Sequence, residues 1–98
     1  MKQKISKLDF SGEKLIIESL AMDLKRVALG LHRKSFVMAD RFKEEALKRY
    51  GELEEQRING YLYKLVVRSK QSLIKNDDST AEDVLMYSTL FQNYALKP

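Results

Sequence analysis

The two side chains of this sequence that could together do chemistry on a phosphate are Arg26 and His32, which are separated by five residues. A histidine can transfer protons near neutral pH, and an arginine can stabilise the charge that develops on a phosphate, so such a pair could cleave RNA. The pair falls at the end of the first predicted helix, where a histidine is also an ordinary surface residue. His32 is the only histidine and the chain has no cysteine, which excludes a multi-histidine or thiolate metal site.

The remaining polar residues do not form a catalytic set. The glycines are scattered rather than grouped into a phosphate-binding loop, and the paired carboxylates Glu54-Glu55 and Asp77-Asp78 lie in polar stretches. Nothing there predicts the burial that would shift a carboxyl pKa for acid–base work. We therefore predict no enzyme, with no catalytic residue, cofactor, metal or small-molecule substrate. The arginine–histidine spacing resembles the Arg-x4–6-His motif of helical HEPN ribonucleases, which are kept as the least favoured hypothesis.

The stretch from Arg57 to Lys75 contains five basic residues and no acidic one. At about 100° per residue, most of these cations fall in a narrow arc of a helix, on a different side from its apolar residues. This predicted basic stripe consists of Arg57, Lys64, Arg68 and Lys75. Three interpretations stay open: a solvated face, ion pairs with acidic side chains of a partner or of this chain, and contacts with nucleic-acid phosphates. The acidic candidates within the chain are Glu44, Glu52 and Glu55.

Four tyrosines in the second half of the chain could stack on nucleic-acid bases. Tyr61, Tyr87 and Tyr94 fall on or beside the predicted core arcs, which indicates packing residues with their hydroxyls at the rim. Tyr63 lies off the core arc of its helix and is the one predicted exposed contact.

The first predicted helix carries apolar residues on two opposed sides. The side predicted to face the core comprises Ile17, Leu20, Leu24, Val27, Ala28 and Leu31. The other side consists of Leu15, Met22 and Leu29, which are spaced by seven residues. Either the other helices of a bundle cover this second side or a partner chain does, and both interpretations stay open. Together with Leu90, which widens the apolar arc of the last helix, these three residues form the predicted interface.

These residues require an all-α scaffold to position them. The apolar periodicity predicts a small antiparallel bundle of four helices, at about 12–33, 36–58, 61–75 and 80–95. Ser11 is the predicted N-cap of the first helix, and Ser79 with Glu82 forms a predicted capping box at the start of the last. Residues 1–10 are predicted to be a flexible or docking arm.

The boundary between the second and third helices depends on Asn59-Gly60. This pair favours a turn, and the apolar arc rotates by about a third of a turn across it. We therefore predict a break there. The alternative is a bundle of three helices, with one long bent helix from about 36 to 75.

The 98 residues predict a single helical domain with a modest core, and the chain has a net charge of +4. That excess permits binding to phosphates or to acidic proteins without requiring it. No apolar run approaches the roughly 18 residues of a membrane span, and the N-terminus has no apolar segment typical of a secretory signal. We expect no membrane partner, and a location in the cytoplasm, or in the nucleus of a eukaryote.

Residues 56–95 resemble the helical domain of the GINS family, the small replication-complex subunits of archaea and eukaryotes. The resemblance rests on Arg57-x3-Tyr61-Leu62-Tyr63-Lys64-Leu65 followed by Arg68, on the loop into Ser79-x-x-Glu82, and on Tyr87-Ser88-x-Leu90-x3-Tyr94. The sequence departs from the family pattern at Asn59-Gly60 and at Lys64, where an arginine is usual. The small β domain of those subunits has no counterpart in these residues.

The resemblance implies a structural rather than a catalytic function. GINS subunits form a tetramer through helix packing, and that tetramer bridges the MCM helicase to a RecJ-like partner. It also implies that Arg57, Lys64 and Arg68 hold the bundle together or meet a partner. We therefore predict a non-catalytic assembly subunit that acts through helix–helix interfaces in a homo- or hetero-oligomer. The alternative is a small basic protein that binds nucleic-acid phosphates through Lys64, Arg68 and Lys75.

Overall fold

The computed structural model describes residues 5–56, 58 and 60–97, with side chains from residue 12 onwards. Four helices follow one another along the chain: α1 (Ile5–His32), α2 (Phe36–Glu55), α3 (Gly60–Lys75) and α4 (Thr80–Leu96). The described part of the chain contains no strand. The predicted all-α bundle of four helices is therefore confirmed.

Helix α1 is the central element of the bundle. It packs along both α2 and α4, whereas α3 packs on α4 and touches α2 only sparsely. The Ser88 hydroxyl donates to the Ala21 carbonyl at 2.9 Å, and the Tyr94 hydroxyl lies 3.3 Å from the Glu13 carboxylate. These two contacts show that α1 and α4 run antiparallel.

The core is built from the apolar stripes that the periodicity indicates. Its buried members are Ile17, Leu20, Ala21, Leu24, Val27, Ala28, Ala46, Tyr50, Leu53, Leu62, Val66, Leu73, Val84 and Phe91. Burying each large apolar side chain stabilises the fold by about 1.5–3 kcal/mol. Phe36 has the helical spacing of the core residues Ala39, Ala46 and Tyr50 and would be predicted to join them, but it is 59% exposed. It is the first residue of α2, so it lies beyond the end of α1 at His32.

The turn between α1 and α2 is closed by backbone hydrogen bonds. The Ser35 N–H donates to the Gly30 carbonyl at 2.8 Å, and the Lys34 N–H donates to the Leu31 carbonyl at 3.1 Å. Lys34 has a φ of 58°, which completes a common helix-ending motif. The two helices then approach closely, because a β-carbon on Gly30 would lie only 2.8 Å from the Ala39 nitrogen.

Helix α1 begins at Ile5, well before the predicted start at about residue 12. Ser11 therefore lies inside the helix, and its prediction as an N-cap is wrong. No proline interrupts this stretch, and the single Gly12 costs only about 1 kcal/mol of helix propensity. Of the predicted arm, residues 5–10 belong to α1 and residues 1–4 lie outside the described residues.

Helices α2 and α3 are separate, which confirms the predicted break. Helix α2 ends at Glu55 and α3 begins at Gly60, so the alternative of one long bent helix is wrong. Gly60 has a φ of 57°, a left-handed conformation that glycine adopts without steric strain. Asn59, the other residue of the predicted turn, lies outside the described residues.

A polar network rather than the predicted capping box organises the corner between α3 and α4. Ser79 makes no side-chain capping bond; its hydroxyl donates to the Asp77 carboxylate at 2.9 Å and lies 3.3 Å from the Asp83 carboxylate. The Asp77 carboxylate accepts the Ser79 N–H at 2.9 Å, and the Asp77 N–H donates to the Thr80 hydroxyl at 2.7 Å. The predicted capping box of Ser79 and Glu82 is therefore wrong, because the side chains of Asp77 and Thr80 accept the backbone N–H groups at this helix start instead. The predicted start of α4 at about residue 80 is confirmed.

Candidate functional site

Two members of the predicted interface on α1 are uncovered. Leu15 is 61% exposed and Met22 is 48% exposed, while Leu29 is half-buried. The interpretation that the other helices of the bundle cover this side of α1 therefore fails for Leu15 and Met22. These two side chains leave apolar surface of the central helix in contact with water. Covering that surface would be energetically favourable.

Met22 and Leu29 line a groove between α1 and α4 with a volume of about 360 Å³. Its α4 wall includes Leu96, which is 70% exposed. The other lining residues are Glu18, Ala21, Lys25, Arg26, Ser88 and Gln92. The groove is thus apolar with a charged rim. The sequence patterns missed Leu96 because it lies beyond the predicted end of the last helix.

Leu90 lies on a different surface from the rest of the predicted interface. It is half-buried and borders a shallow apolar patch on α4 with Leu85 and Met86. At about 100° per residue, Leu90 is about 160° around α4 from Gln92, which lines the α1–α4 groove. The structure therefore brings Met22 and Leu29 together but does not bring Leu90 to them.

A second groove lies between α2 and α3 and has a volume of about 420 Å³. Buried residues of the core, including Tyr50 and Leu53, form its floor. Tyr63 and Ile74, which are 55% and 53% exposed, stand at its edge. The exposure of Tyr63 is confirmed. The groove itself was missed, because its width depends on the distance between two helices rather than on either sequence pattern.

Two polar contacts link α2 and α3 beside this groove. The Tyr50 hydroxyl lies 2.6 Å from the Ser69 hydroxyl, which itself donates to the Val66 carbonyl at 2.8 Å. Tyr50 is therefore the donor in the pair, and burial raises its pKa above the ordinary value, so it stays protonated. At the rim, the Lys70 ammonium lies 3.9 Å from the exposed Glu54 carboxylate, a weak contact.

The basic stripe does not form one uniform surface. The Lys75 ammonium donates to the Asp83 carboxylate at 2.8 Å and to the Ser79 hydroxyl at 2.9 Å, within the α3–α4 corner. The hydrogen bond to Asp83 raises the pKa of Lys75. Lys75 is thus committed to a contact within the chain, and its acidic partner is not one of the three predicted from the sequence.

The rest of the stripe is more open. Lys64 and Arg68 are exposed, and neither forms an ion pair with another described side chain. Arg57 lies outside the described residues. The described part of the stripe therefore offers two uncommitted cations.

The prediction of which tyrosines are buried is confirmed for two of them and wrong for Tyr61. Tyr87 and Tyr94 are half-buried against the core, as predicted. Tyr61 is 74% exposed, so its prediction as a packing residue is wrong. It lies in the first turn of α3 and within about 60° of Lys64 and Arg68 around that helix. An exposed aromatic ring thus accompanies the two uncommitted cations.

Arg26 and His32 have separate neighbours. The Arg26 guanidinium lies over the Phe42 ring, 5.3 Å from its centroid, and His32 is the exposed last residue of α1. Six residues of helix separate the two side chains by about 120° around the axis. The fold does not bring this pair to one face.

One further titratable cluster lies between α1 and α2. Burial raises the pKa of Asp23, while the nearby Arg49 and Arg26 act in the opposite direction. The Arg49 Nε atom is buried and lies 3.3 Å from the Glu52 carboxylate without forming a well-aligned hydrogen bond. The cluster pairs opposite charges across the helix contact, which is a structural arrangement.

Within residues 5–56, 58 and 60–97, no helix is long and apolar enough to cross a membrane, and no three acidic or histidine side chains gather as a metal site requires. Comparison of the chain with protein-family models, with curated proteins and with solved structures finds no match.

Proposed function

We propose that this protein is a non-catalytic assembly subunit, held by another polypeptide along its α1–α4 face. That face is the surface formed by Leu15, Met22, Leu29 and Leu96. The exposure of Leu15 and Met22 on the central helix is the observation that carries the proposal. A partner that covered them would remove apolar surface from water, at about 25 cal/mol per Å².

The composition of the face supports a protein partner over a small molecule. An apolar centre surrounded by charged side chains is the usual arrangement of a protein–protein interface. The α1–α4 groove has this arrangement, with Met22 and Leu29 in the groove and Glu18 and Lys25 beside them. The short chain adds a second argument, because a domain of this size buries a modest core and gains stability from a partner.

The GINS resemblance gives this proposal a specific form, namely a replication-complex subunit that bridges a helicase and its partner. It rests on the sequence pattern over residues 56–95, and a four-helix bundle is compatible with it. Sedimentation of the protein with the replicative helicase of the same organism tests this form. If no complex forms, the helicase-bridging role is removed and the general assembly proposal remains.

The general proposal is tested by the native mass of the protein in extracts of the cells that produce it. We expect the wild type to elute from a sizing column as a species heavier than the single chain. Changing Leu15 and Met22 together to Gln should shift it to the mass of one chain, because polar side chains remove the apolar contact. The helical content of the purified double variant should be unchanged, since both side chains are exposed.

The matched control is Val37→Gln. Val37 is 85% exposed and lines neither groove. This change should leave the native mass as it is in the wild type. A wild-type protein that elutes as a single chain, or a complex that persists in the Leu15/Met22 variant, would contradict the proposal.

A second candidate function is nucleic-acid binding by α3. The observation that favours it is the exposed Tyr61 ring beside the uncommitted Lys64 and Arg68. An aromatic ring flanked by cations suits the stacking of single-stranded bases and the neutralisation of phosphates. Because Lys75 is engaged with Asp83, two described cations of the stripe remain for phosphate contacts.

Binding of a labelled single-stranded oligonucleotide, measured by fluorescence anisotropy, tests this candidate. Two phosphate contacts predict a slope of about −1.4 in a plot of log affinity against log salt concentration. Changing Lys64 and Arg68 together to Glu should abolish binding, whereas changing Lys48, on the outer side of α2, should not. Equal binding by the wild type and the Lys64/Arg68 variant would remove this candidate.

A further inference from the structure

We infer that the partner on the α1–α4 face is a second copy of this chain, docked antiparallel along α1 about a twofold axis near Met22. This inference rests on the proposed function and names its partner. It is carried by the order of apolar and charged residues along one face of α1. That face consists of Leu15, Glu18, Met22, Lys25, Arg26 and Leu29, which fall within about 100° of arc around the helix.

The apolar residues of this face are symmetric about Met22. At 1.5 Å of rise per residue, Leu15 and Leu29 lie about 10.5 Å to either side of it. A second copy turned end over end therefore places its Leu29 opposite Leu15 and its Met22 opposite Met22. A surface that matches its own reversed copy is the requirement for a twofold interface.

The charged residues have opposite signs on the two sides of Met22. Glu18 lies about 6 Å before it along the axis, and Lys25 and Arg26 lie about 4.5 and 6 Å after it. Antiparallel docking brings Glu18 of one copy level with Lys25 and Arg26 of the other, and symmetry repeats the contact. Parallel docking would bring Glu18 against Glu18 and Lys25 against Lys25, which repel. The charges therefore select the antiparallel arrangement.

These charges are available for a partner. Glu18 and Lys25 are exposed, and neither forms an ion pair with another described residue. Arg26 is half-buried over the Phe42 ring, so its positive charge lies at the edge of this α1 face. Pairing across the interface would thus give Glu18 and Lys25 the oppositely charged partners that they lack within the described chain.

Leu96 extends the apolar part of the contact. The Lys14 ammonium donates to the Lys97 carbonyl, so the end of α4 lies beside the Leu15 end of the α1 face. The exposed Leu96 side chain lines the groove there. In the antiparallel dimer, Leu29 of the second copy would lie at this same end, beside Leu15 and Leu96.

Cysteine cross-linking tests the arrangement directly, because the chain has no cysteine of its own. Met22→Cys should form a disulfide-linked dimer in a glutathione buffer. Leu15→Cys and Leu29→Cys should each fail to cross-link alone and should cross-link to each other when mixed. Val37→Cys is the control and should not cross-link. If Leu15→Cys and Leu29→Cys each cross-linked alone but not when mixed, the dimer would be parallel and the inference overturned.

A charge exchange tests the pairing. Glu18→Lys should raise the dimer dissociation constant by roughly tenfold, because two attractive contacts become repulsive. The double change Lys25→Glu with Arg26→Glu should have the same effect. Mixing these two variants should restore a heterodimer of wild-type affinity, measured by light scattering. Failure of the mixture to associate, when each variant is helical, would contradict the inference.

The outcomes separate this inference from the proposed function. If the purified protein is a monomer at every concentration while its native mass in extracts still depends on Leu15 and Met22, the partner is a different protein. The inference is then overturned and the assembly function stands. If the native mass in extracts is that of one chain, both are overturned.

Discussion

Near the start of helix α2 the backbone approaches α1 so closely that a β-carbon on Gly30 would lie 2.8 Å from the Ala39 nitrogen. Near the end of α2, the contact with α3 leaves a groove of about 420 Å³. The first contact has no room for an added methyl group. The second is held together by the buried Tyr50–Ser69 hydrogen bond and by a weak ion pair at the rim of the groove.

The difference follows from the size of the side chains at each contact. Gly30 and Ala39 meet in the first, and the buried Ala46 lies on the same face of α2 about two turns further along. Small side chains let two helix axes come together. In the second, the large Tyr50 side chain reaches from α2 towards α3 and keeps the helices apart. The two contacts of α2 therefore differ in how large an added side chain they should tolerate.

The largest effect is expected for Gly30→Ala at the close contact. The added methyl group would collide with the Ala39 backbone, which has to move, and overpacking of this kind costs about 1–3 kcal/mol of unfolding free energy. Gly51→Ala is the control, because its β-carbon meets nothing within 4 Å and should stabilise α2 by about 0.5–1 kcal/mol. Urea unfolding followed by circular dichroism measures both. Equal effects of the two changes would show that the contact is looser than described.

A smaller loss is expected for Tyr50→Phe at the open contact. The change deletes the hydrogen bond between α2 and α3 while Ser69 keeps its bond to the Val66 carbonyl. We expect a loss of about 1 kcal/mol in unfolding free energy. Tyr63→Phe, at the exposed edge of the same groove, should have no measurable effect. If both changes were neutral, the hydroxyl pair would not hold the two helices together.

A small gain is expected when the open groove is filled. Val67 lines the groove and is half-buried, so Val67→Leu adds apolar contact and helix propensity. The unfolding free energy should rise by roughly 0.5 kcal/mol. Ala46→Leu, at a fully buried position of α2 outside the groove, should destabilise instead. Thermal unfolding of the two variants compares the groove with the packed core, and destabilisation by Val67→Leu would mean that the groove is not free space.

The smallest effects concern pH at the α3–α4 corner, whose charged groups are exposed. The hydrogen bond to Asp83 raises the pKa of Lys75, so its contribution to stability is complete below the ordinary value of 10.5 and is lost as the pH rises through the folded value. The hydrogen bonds from Ser79 lower the pKa of Asp77. Its contribution is therefore complete above the ordinary value of 3.8 and is lost as the pH falls through the folded value.

Single substitutions separate these two ends of the pH range. Lys75→Met should remove the alkaline part of the dependence and Asp77→Asn the acid part, in unfolding midpoints measured against pH, and each should reduce the other part only slightly because the two groups lie 3.8 Å apart. Lys48→Met, on the outer side of α2, serves as the control. A corner variant whose pH dependence matches that of the wild type would show that the network adds nothing to stability.

Much of the fold could be predicted from the sequence, because burial on one side of a helix repeats along the chain. Ile17, Leu20 and Leu24 are spaced by three and four residues and are all fully buried. The same reasoning failed at helix ends. Phe36 and Tyr61 have the spacing of core residues, yet they are 59% and 74% exposed in the first turns of α2 and α3.

The candidate interface shows the same division. Spacing by seven residues identified Leu15 and Met22 as a second apolar side of α1, but spacing alone left open whether the bundle covers them. The structure places α2 and α4 so that both stay exposed, and it adds Leu96 from the end of α4. Leu90 has an apolar side chain on a regular arc as well, yet it lies on another surface, because the rotation of α4 depends on its packing against α1.

The sequence by itself determined the four helices, the break before Gly60 and most residues of the core, because each depends on periodicity or on the conformational preference of a nearby residue. The tertiary structure alone decided the distances between helices. In it, Gly30 and Ala39 are in close contact, a groove lies beside Tyr50, and Lys75 is hydrogen-bonded to Asp83. The physical reason is that the distance between two helices is set by side chains from both of them, and these are far apart in the chain.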